Sequence, residues 1–156
     1  MVDFKQKEKY DINDLLEIMR LLRAPGGCPW DAQQTHMSIR KNLIEETYEV
    51  IEAIDKDDKE LMTEELGDLL MQVVFHAQME QEAGNFDFGD VTDGVCKKLI
   101  ERHPHVFGEV EVSGVGDVLN NWDAIKRRSK GQKKGSEPML SIPRELPALM
   151  LSLIHI

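Results

Sequence analysis

Residues 59–82 read KELMTEELGDLLMQVVFHAQMEQE, and the reading of this stretch decides the fold. Leu66, Leu69, Leu70, Val73, Val74 and Ala77 recur at spacings of one, three and four. That is the apolar stripe of an amphipathic helix, not the strict alternation of a half-buried strand. Lys56-Asp57-Asp58 supplies a polar turn before the stretch, and Ala83-Gly84-Asn85 closes it. Gly84 suits the left-handed position just past a helix end. The spacing therefore predicts one helix from about Lys59 to Glu82.

Working outward, the segment before the turn predicts another helix from about Ser38 to Asp55. Asp31 to Ser38 reads as a loop or short turn that leads into its N-cap. Further upstream, Ile12, Leu15, Leu16, Met19 and Leu22 mark a first helix from about Asp11 to Arg23, with Asn13 as its N-cap. The run Ala24-Pro25-Gly26-Gly27-Cys28-Pro29 stops it. Downstream, a helix is expected from Phe88 or Asp90 to Arg102, ended by Pro104, and a short one from about Val118 to Arg128. No alternating run rich in Val, Ile or Tyr reaches useful length. The expectation is an all-α antiparallel bundle of about four to five helices, since short connections favour antiparallel neighbours.

With 156 residues, 41% apolar and 31% charged, the chain has the composition of one globular domain. No stretch of about 18 apolar residues offers a membrane span. The polar start MVDFKQKEKY lacks an apolar leader, and Cys28 and Cys96 form no CxxC pair, so a cytoplasmic protein with reduced thiols is expected. The net charge of −10 repels phosphate backbones and argues against nucleic acid as a partner. Small anions remain accessible to a site where a bound cation reverses the local field. Residues 1–134 are read as the functional domain. Residues 135–156 follow a basic, glycine-containing stretch and end abruptly, which reads as a linker and the truncated start of a further segment.

Two acidic clusters carry the chemistry: Glu45-Glu46-Thr-Tyr-Glu49 and Glu64-Glu65-Leu-Gly-Asp68. Residues three apart lie about 60° from each other around a helix, so Glu46 shares a face with Glu49, and Glu65 with Asp68. Each pair sits at the edge of its helix's apolar stripe. An antiparallel pairing of the two helices brings all four carboxylates together, and such a group does not stay ionised unaided. A hard divalent cation with oxygen ligands resolves the repulsion. Gly67 costs helix stability, for which close approach of a neighbouring helix is the expected return. A single Glu in so acidic a chain is ordinarily a solvated surface residue. Two such pairs on neighbouring helices are harder to assign that way. The competing di-iron bundle uses Glu-x-x-His motifs, and none of the five histidines has Glu three residues before it.

In this order the motifs resemble the MazG family of nucleotide pyrophosphohydrolases. The family's Glu-Glu-x-x-Glu, spacer and Glu-x-x-Asp correspond to Glu45, Glu46, Glu49, Glu65 and Asp68. Gly27-Cys-Pro-Trp-Asp31 and Gln34-Thr-His36 before them, and Arg102-His-Pro-His-Val-Phe107 after them, extend the likeness over roughly Leu15 to Lys134. The resemblance implies magnesium, with manganese as a substitute, held by Glu46, Glu49, Glu65 and Asp68. It implies that Glu45 or Glu64 positions or deprotonates the attacking water. It further implies cleavage of nucleoside triphosphates to monophosphate and pyrophosphate by a homodimer or higher oligomer. Phosphoryl transfer rests mainly on positioning and charge neutralisation, which such a site supplies.

Lys98 and Arg102, four apart on one helix face, are candidate phosphate contacts, with Lys126 a third. A solvated basic face is the alternative for each. Trp30 and Trp122 are candidate base-stacking residues, packing being the alternative. Pro143-Arg-Glu-Leu-Pro-Ala148 resembles the start of the second domain that longer relatives carry. A nucleotide- and metal-binding regulatory module with little turnover therefore stands beside the enzyme. A purely structural dimerisation domain leaves the carboxylate pairs unexplained.

Overall fold

The computed structural model of the chain describes residues 4–129. Among these residues it contains seven helices and no strand: α1 (Ile12–Arg23), α2 (Pro29–Gln33), α3 (His36–Asp55), α4 (Lys59–Glu82), α5 (Phe88–Arg102), α6 (Pro104–Phe107) and α7 (Val115–Ser129). The chain divides between residues 93 and 94, within α5, into two compact units. The expected linker at 135–156 lies outside the described residues.

In the first unit, α1 begins two residues earlier than an Asn13 cap would allow. Asp11 is the N-cap: its Oδ1 accepts from the N–H groups of Asn13 (2.8 Å) and Asp14 (3.2 Å), while Asp14 Oδ2 accepts from the Asp11 N–H (2.9 Å). This reciprocal box satisfies the helix end in a way Asn13 cannot, because Leu16, three residues beyond Asn13, has no side-chain acceptor to return to the cap. The helix then stops at a tight turn. A Cβ on Gly27 would collide with the carbonyl oxygens of Leu21 and Leu22, and the Cys28 N–H donates to Leu22 O at 2.7 Å. Only glycine permits that approach. Pro29 opens α2 at its first position, where the missing N–H costs nothing. This short helix replaces the expected loop.

α3 starts two residues before Ser38 because Thr35 and Ser38 cap each other: Thr35 Oγ1 accepts from the Ser38 N–H (3.2 Å), and Ser38 Oγ from the Thr35 N–H (2.9 Å). α4 has the expected bounds. Asp58 Oδ1 accepts from the N–H groups of Glu60 and Leu61 at its start, and Gly84 follows its end with φ +74°. α3 and α4 form an antiparallel hairpin, α1 packs on α4, and α2 packs on α1.

The core of this unit gathers Met19, Ile39, Val74, Phe75 and Met79, with Leu15, Leu16, Met71 and Phe88 against it. Each large apolar side chain so buried contributes about 1.5–3 kcal/mol. The apolar stripe of α4 is only partly inside. Val74 and Ala77 are buried, but Leu66, Leu70 and Val73 are 37–49% exposed. The buried face instead includes Gln72, Phe75, Gln78 and Met79. Ile44, Tyr48, Ile51 and Ile54 of α3 are likewise exposed. The sequence stripe merges two faces, one covered by α1 and α3 and one uncovered among the described residues. Gly67 corrects a second expectation, since a Cβ there meets no atom within 4 Å. No helix of the described chain approaches it closely.

In the second unit, α6 begins with Pro104 at its first position. α7 starts at Val115, three residues before the expected Val118, with Asp117 accepting from the Ser113 N–H at 3.0 Å. None of the described helices is long and apolar enough to cross a membrane.

Candidate metal centre

The α3–α4 hairpin brings the two acidic segments face to face. Carboxylate oxygens of Glu46, Glu49 and Glu65 all lie within 4.8 Å of one another, and the three residues are half-buried. Burial first, then the charges of Asp68 and Glu49, pushes the Glu46 carboxyl above its ordinary value of 4.5. Glu65 is raised too, by burial and then by Glu49, Glu64, Asp68 and Glu52. Asp68 is outside the tightest trio, yet its charge bears on both. Glu45 and Glu64 each precede a cluster member by one residue, sit about 100° round the helix and are exposed.

Glu52 belongs to this neighbourhood and escaped the sequence reading. It is one further step of three beyond Glu49, and Lys56, four residues on, forms an ion pair with it. The continued spacing Glu46, Glu49, Glu52 was the available signal. An all-oxygen donor set under mutual repulsion fits a hard divalent cation of the magnesium or manganese type. Glu46, Glu49 and Glu65 are the residues that would hold it, with Asp68 beside them.

The raised carboxyls have a consequence for stability. Glu46 and Glu65 hold protons to higher pH in the folded chain than in the unfolded one. Without metal they therefore destabilise the fold above their raised values, and the penalty is relieved as pH falls through that range toward 4.5. Glu46→Gln is expected to melt several degrees higher than the parent at neutral pH in chelator, with the gain fading near pH 4.5. Thermal melts across that range check it, and a lower neutral-pH melting temperature would contradict it.

The candidate cations and aromatics fall in different places. In the second unit, the Arg102 guanidinium carbon and Lys126 Nζ lie 5.3 and 5.2 Å from the centroid of the Trp122 ring. Trp122 is thus already engaged by two cations. Arg102 Nε and His105 Nδ1 are buried with no hydrogen-bond partner among the described residues. Lys98 is exposed on α5. Trp30, in the first unit, is 58% exposed on α2, its carbonyl accepting from Gln34 Nε2 at 2.9 Å.

These features define an all-α protein with an acidic site between two antiparallel helices. The family model described as the MazG nucleotide pyrophosphohydrolase domain matches residues 34–107, which include the whole α3–α4 hairpin. Residues 34–107 thus carry a MazG domain. It is 49% identical over 140 residues to the nucleoside triphosphate pyrophosphohydrolase of Escherichia coli (strain K12), covering 89% of this chain and 53% of that protein. A Thermotoga maritima protein, nucleoside triphosphate pyrophosphohydrolase/pyrophosphatase MazG, is 48% identical over 141 residues, covering 85% of this chain and 54% of its own. The chain spans about half the length of these two relatives. The crystal structure of a mazG-related protein from Thermotoga maritima superposes with a TM-score of 0.62 at 29% identity, covering 74% of this chain and 99% of that one.

Proposed function

We propose that this chain is a magnesium-dependent nucleoside triphosphate pyrophosphohydrolase, cleaving the α–β phosphoanhydride to give a nucleoside monophosphate and pyrophosphate. The observation that carries the reading is the convergence of Glu46, Glu49 and Glu65 from two helices of a MazG domain. Bound there with Asp68 as a further ligand, magnesium or manganese would neutralise phosphate charge and acidify a water. Glu45 and Glu64, exposed at the cluster's margin, are the groups to orient that water or accept its proton.

Arg102, Lys98 and Lys126 are the cations to supply positive charge toward the phosphates. Trp122 and Trp30 are the aromatic candidates on the substrate side. The exposed apolar faces of α3 and α4 favour a homodimer or higher oligomer, in which a second copy covers them. The free thiols Cys28 and Cys96 are consistent with a cytoplasmic setting.

The half-length coverage of the relatives favours one second reading, a nucleotide- and metal-binding regulatory module with little turnover. Incubating the purified chain with a panel of nucleoside triphosphates, with magnesium or with chelator, separates the two. Magnesium-dependent monophosphate plus pyrophosphate is the expected product set. Diphosphate plus orthophosphate overturns the assigned bond, and metal-dependent binding without turnover favours the regulatory module.

A further inference from the structure

One group of titratable side chains in the first unit lies outside the carboxylate cluster and joins the start of α3 to α4. His36 Nε2 is 2.7 Å from Glu80 Oε1, and His36 Nδ1 is 2.7 Å from His76 Nδ1. The two rings stack with centroids 5.0 Å apart and planes 6° from parallel. Asn85 Nδ2 donates to the other Glu80 oxygen at 2.6 Å. Asn85 first, and then His36, hold the Glu80 carboxyl below its ordinary range, so it is an ionised acceptor.

The number of protons on the two rings decides whether this contact can exist. With both rings neutral, Glu80 accepts from His36 Nε2–H, so His36 Nδ1 is a lone pair and accepts from His76 Nδ1–H. His76 Nε2 is then a bare acceptor, buried and without a partner among the described residues. One added proton can be held. It sits on His36 Nδ1, on the ring that faces Glu80, and His76 changes tautomer so that its Nδ1 accepts and its Nε2 carries the hydrogen. A second proton cannot be held. Both Nδ1 atoms would carry hydrogens at a separation of 2.7 Å, and two cations would be stacked 5.0 Å apart.

The surroundings give the second charge no relief. Leu43 of α3, Val73 and Ala77 of α4, Phe86 of the connection and Val91 of α5 line the pocket beside the pair and are apolar. Glu80 is the carboxylate among the residues lining it, and its two oxygens are already engaged by His36 and Asn85. His36 is also the first residue of α3, where the helix dipole opposes positive charge. Burial, and secondarily the charge of His36, accordingly lowers His76 below its ordinary value of 6.5. The carboxylate cluster stands apart from this group. His76 is eleven residues beyond Glu65, about 16 Å along α4, and His36 is ten before Glu46, about 15 Å along α3.

We propose that His36, His76 and Glu80 form an acid-labile latch between the first turn of α3 and α4, closed with no proton or one proton added to the imidazole pair and opened by the second. Opening separates the two rings and releases the start of α3 from α4, while Thr35 and Ser38 keep the helix capped. The device is independent of the pyrophosphohydrolase reading. Its sign follows from proton binding, because the chain with the latch closed binds fewer protons than the unfolded chain. The stabilisation is therefore complete above about 6.5 and is lost as pH falls through the lowered His76 value.

The test follows both rings of the 15N-labelled full chain, in chelator, from about pH 8 to about pH 5, the range in which histidine titrates. The first proton is expected to switch the His76 tautomer while ring-to-ring NOEs persist, and the second to abolish them. In urea denaturation, the folding equilibrium constant of the parent should fall relative to that of His76→Phe by up to about tenfold per pH unit below about 6.5, the slope for one linked proton. The carboxylates are common to both proteins and cancel. In His36→Gln, which has no second cation, His76 should titrate at higher pH than in the parent. Ring NOEs that survive when both imidazoles are protonated overturn the proposal. A His76 titration unmoved in His36→Gln does so as well, since it leaves burial alone as the cause. A parent with no extra acid loss of stability relative to His76→Phe also overturns it. Should neither variant fold, the tautomer and NOE series of the parent decides by itself.

Discussion

Glu49→Gln is expected to lower kcat/KM for nucleoside triphosphates by at least about 10³-fold, a loss of about 4 kcal/mol of transition-state stabilisation at about 1.36 kcal/mol per factor of ten. Glu49 stands at the centre of the acidic site. Its carboxylate is within 4.8 Å of those of Glu46 and Glu65, and its charge contributes to the raised carboxyls of both. The amide keeps the size of the side chain and removes the charge. Metal affinity should therefore fall while the helix is retained, since Gln and Glu have similar helix propensity. Asp68→Asn should behave alike. The readouts are steady-state turnover and a magnesium titration followed calorimetrically, with circular dichroism to show that the fold persists. Activity within tenfold of the parent would remove Glu49 from the metal site. An unchanged magnesium affinity with lost turnover would move its role from ligand to water-orienting base. A protein that is only a scaffold predicts neither loss.

How much of this was legible beforehand differs between elements for physical reasons. α4 was readable end to end because Asp58 and Gly84 punctuate a 24-residue apolar pattern. α2 and α6 were not, since helices of five and four residues are too short for a periodicity to register. Their only local mark is a proline at the first position. The Asn13 cap failed because cap preference alone does not separate neighbouring Asp and Asn residues, whereas the Asp11–Asp14 box does. The carboxylates on each helix could be paired from spacing, because three residues along one helix fix a shared face. Which carboxylate of α3 meets which of α4 depends on the pairing register, and that is why Glu52 was overlooked. His36 and His76 are 40 residues apart, so no local pattern announces their contact. The spacing of His76 and Glu80 is visible, but it reverses the Glu-to-His order that di-iron bundles use.

The largest loss of stability is expected from a residue that the motifs do not mark. Arg23, in the last turn of α1, is only 7% exposed at its side chain. Its guanidinium donates to both oxygens of Glu82, with Nε–Oε1 at 2.9 Å and Nη2–Oε2 at 2.8 Å. Nη1 donates to the carbonyls of Asp31 (2.6 Å) and Gln34 (3.3 Å), and the guanidinium carbon lies 5.2 Å from the Phe75 ring centroid. One side chain thus ties α1 to the end of α4 and to the segment that delivers Thr35, the cap of α3. Arg23→Ala leaves a carboxylate and two carbonyls without their donor and opens space beside the core. The expected cost is about 2–4 kcal/mol, between the loss of an exposed pair and that of a fully buried one, because Glu82 keeps 39% of its side-chain surface. Urea denaturation measures it directly. Arg23→Lys should recover only part, since an ammonium cannot span the carboxylate and the carbonyls together. Acid offers a second check. Arg23 holds the Glu82 carboxyl below 4.5, so the pair stabilises the fold above that value and the contribution fades as pH falls through the lowered one. The difference between parent and Arg23→Ala should therefore narrow in strong acid. A variant within about 0.5 kcal/mol of the parent at neutral pH, the range of ordinary surface changes, would show that Arg23 does not hold these segments.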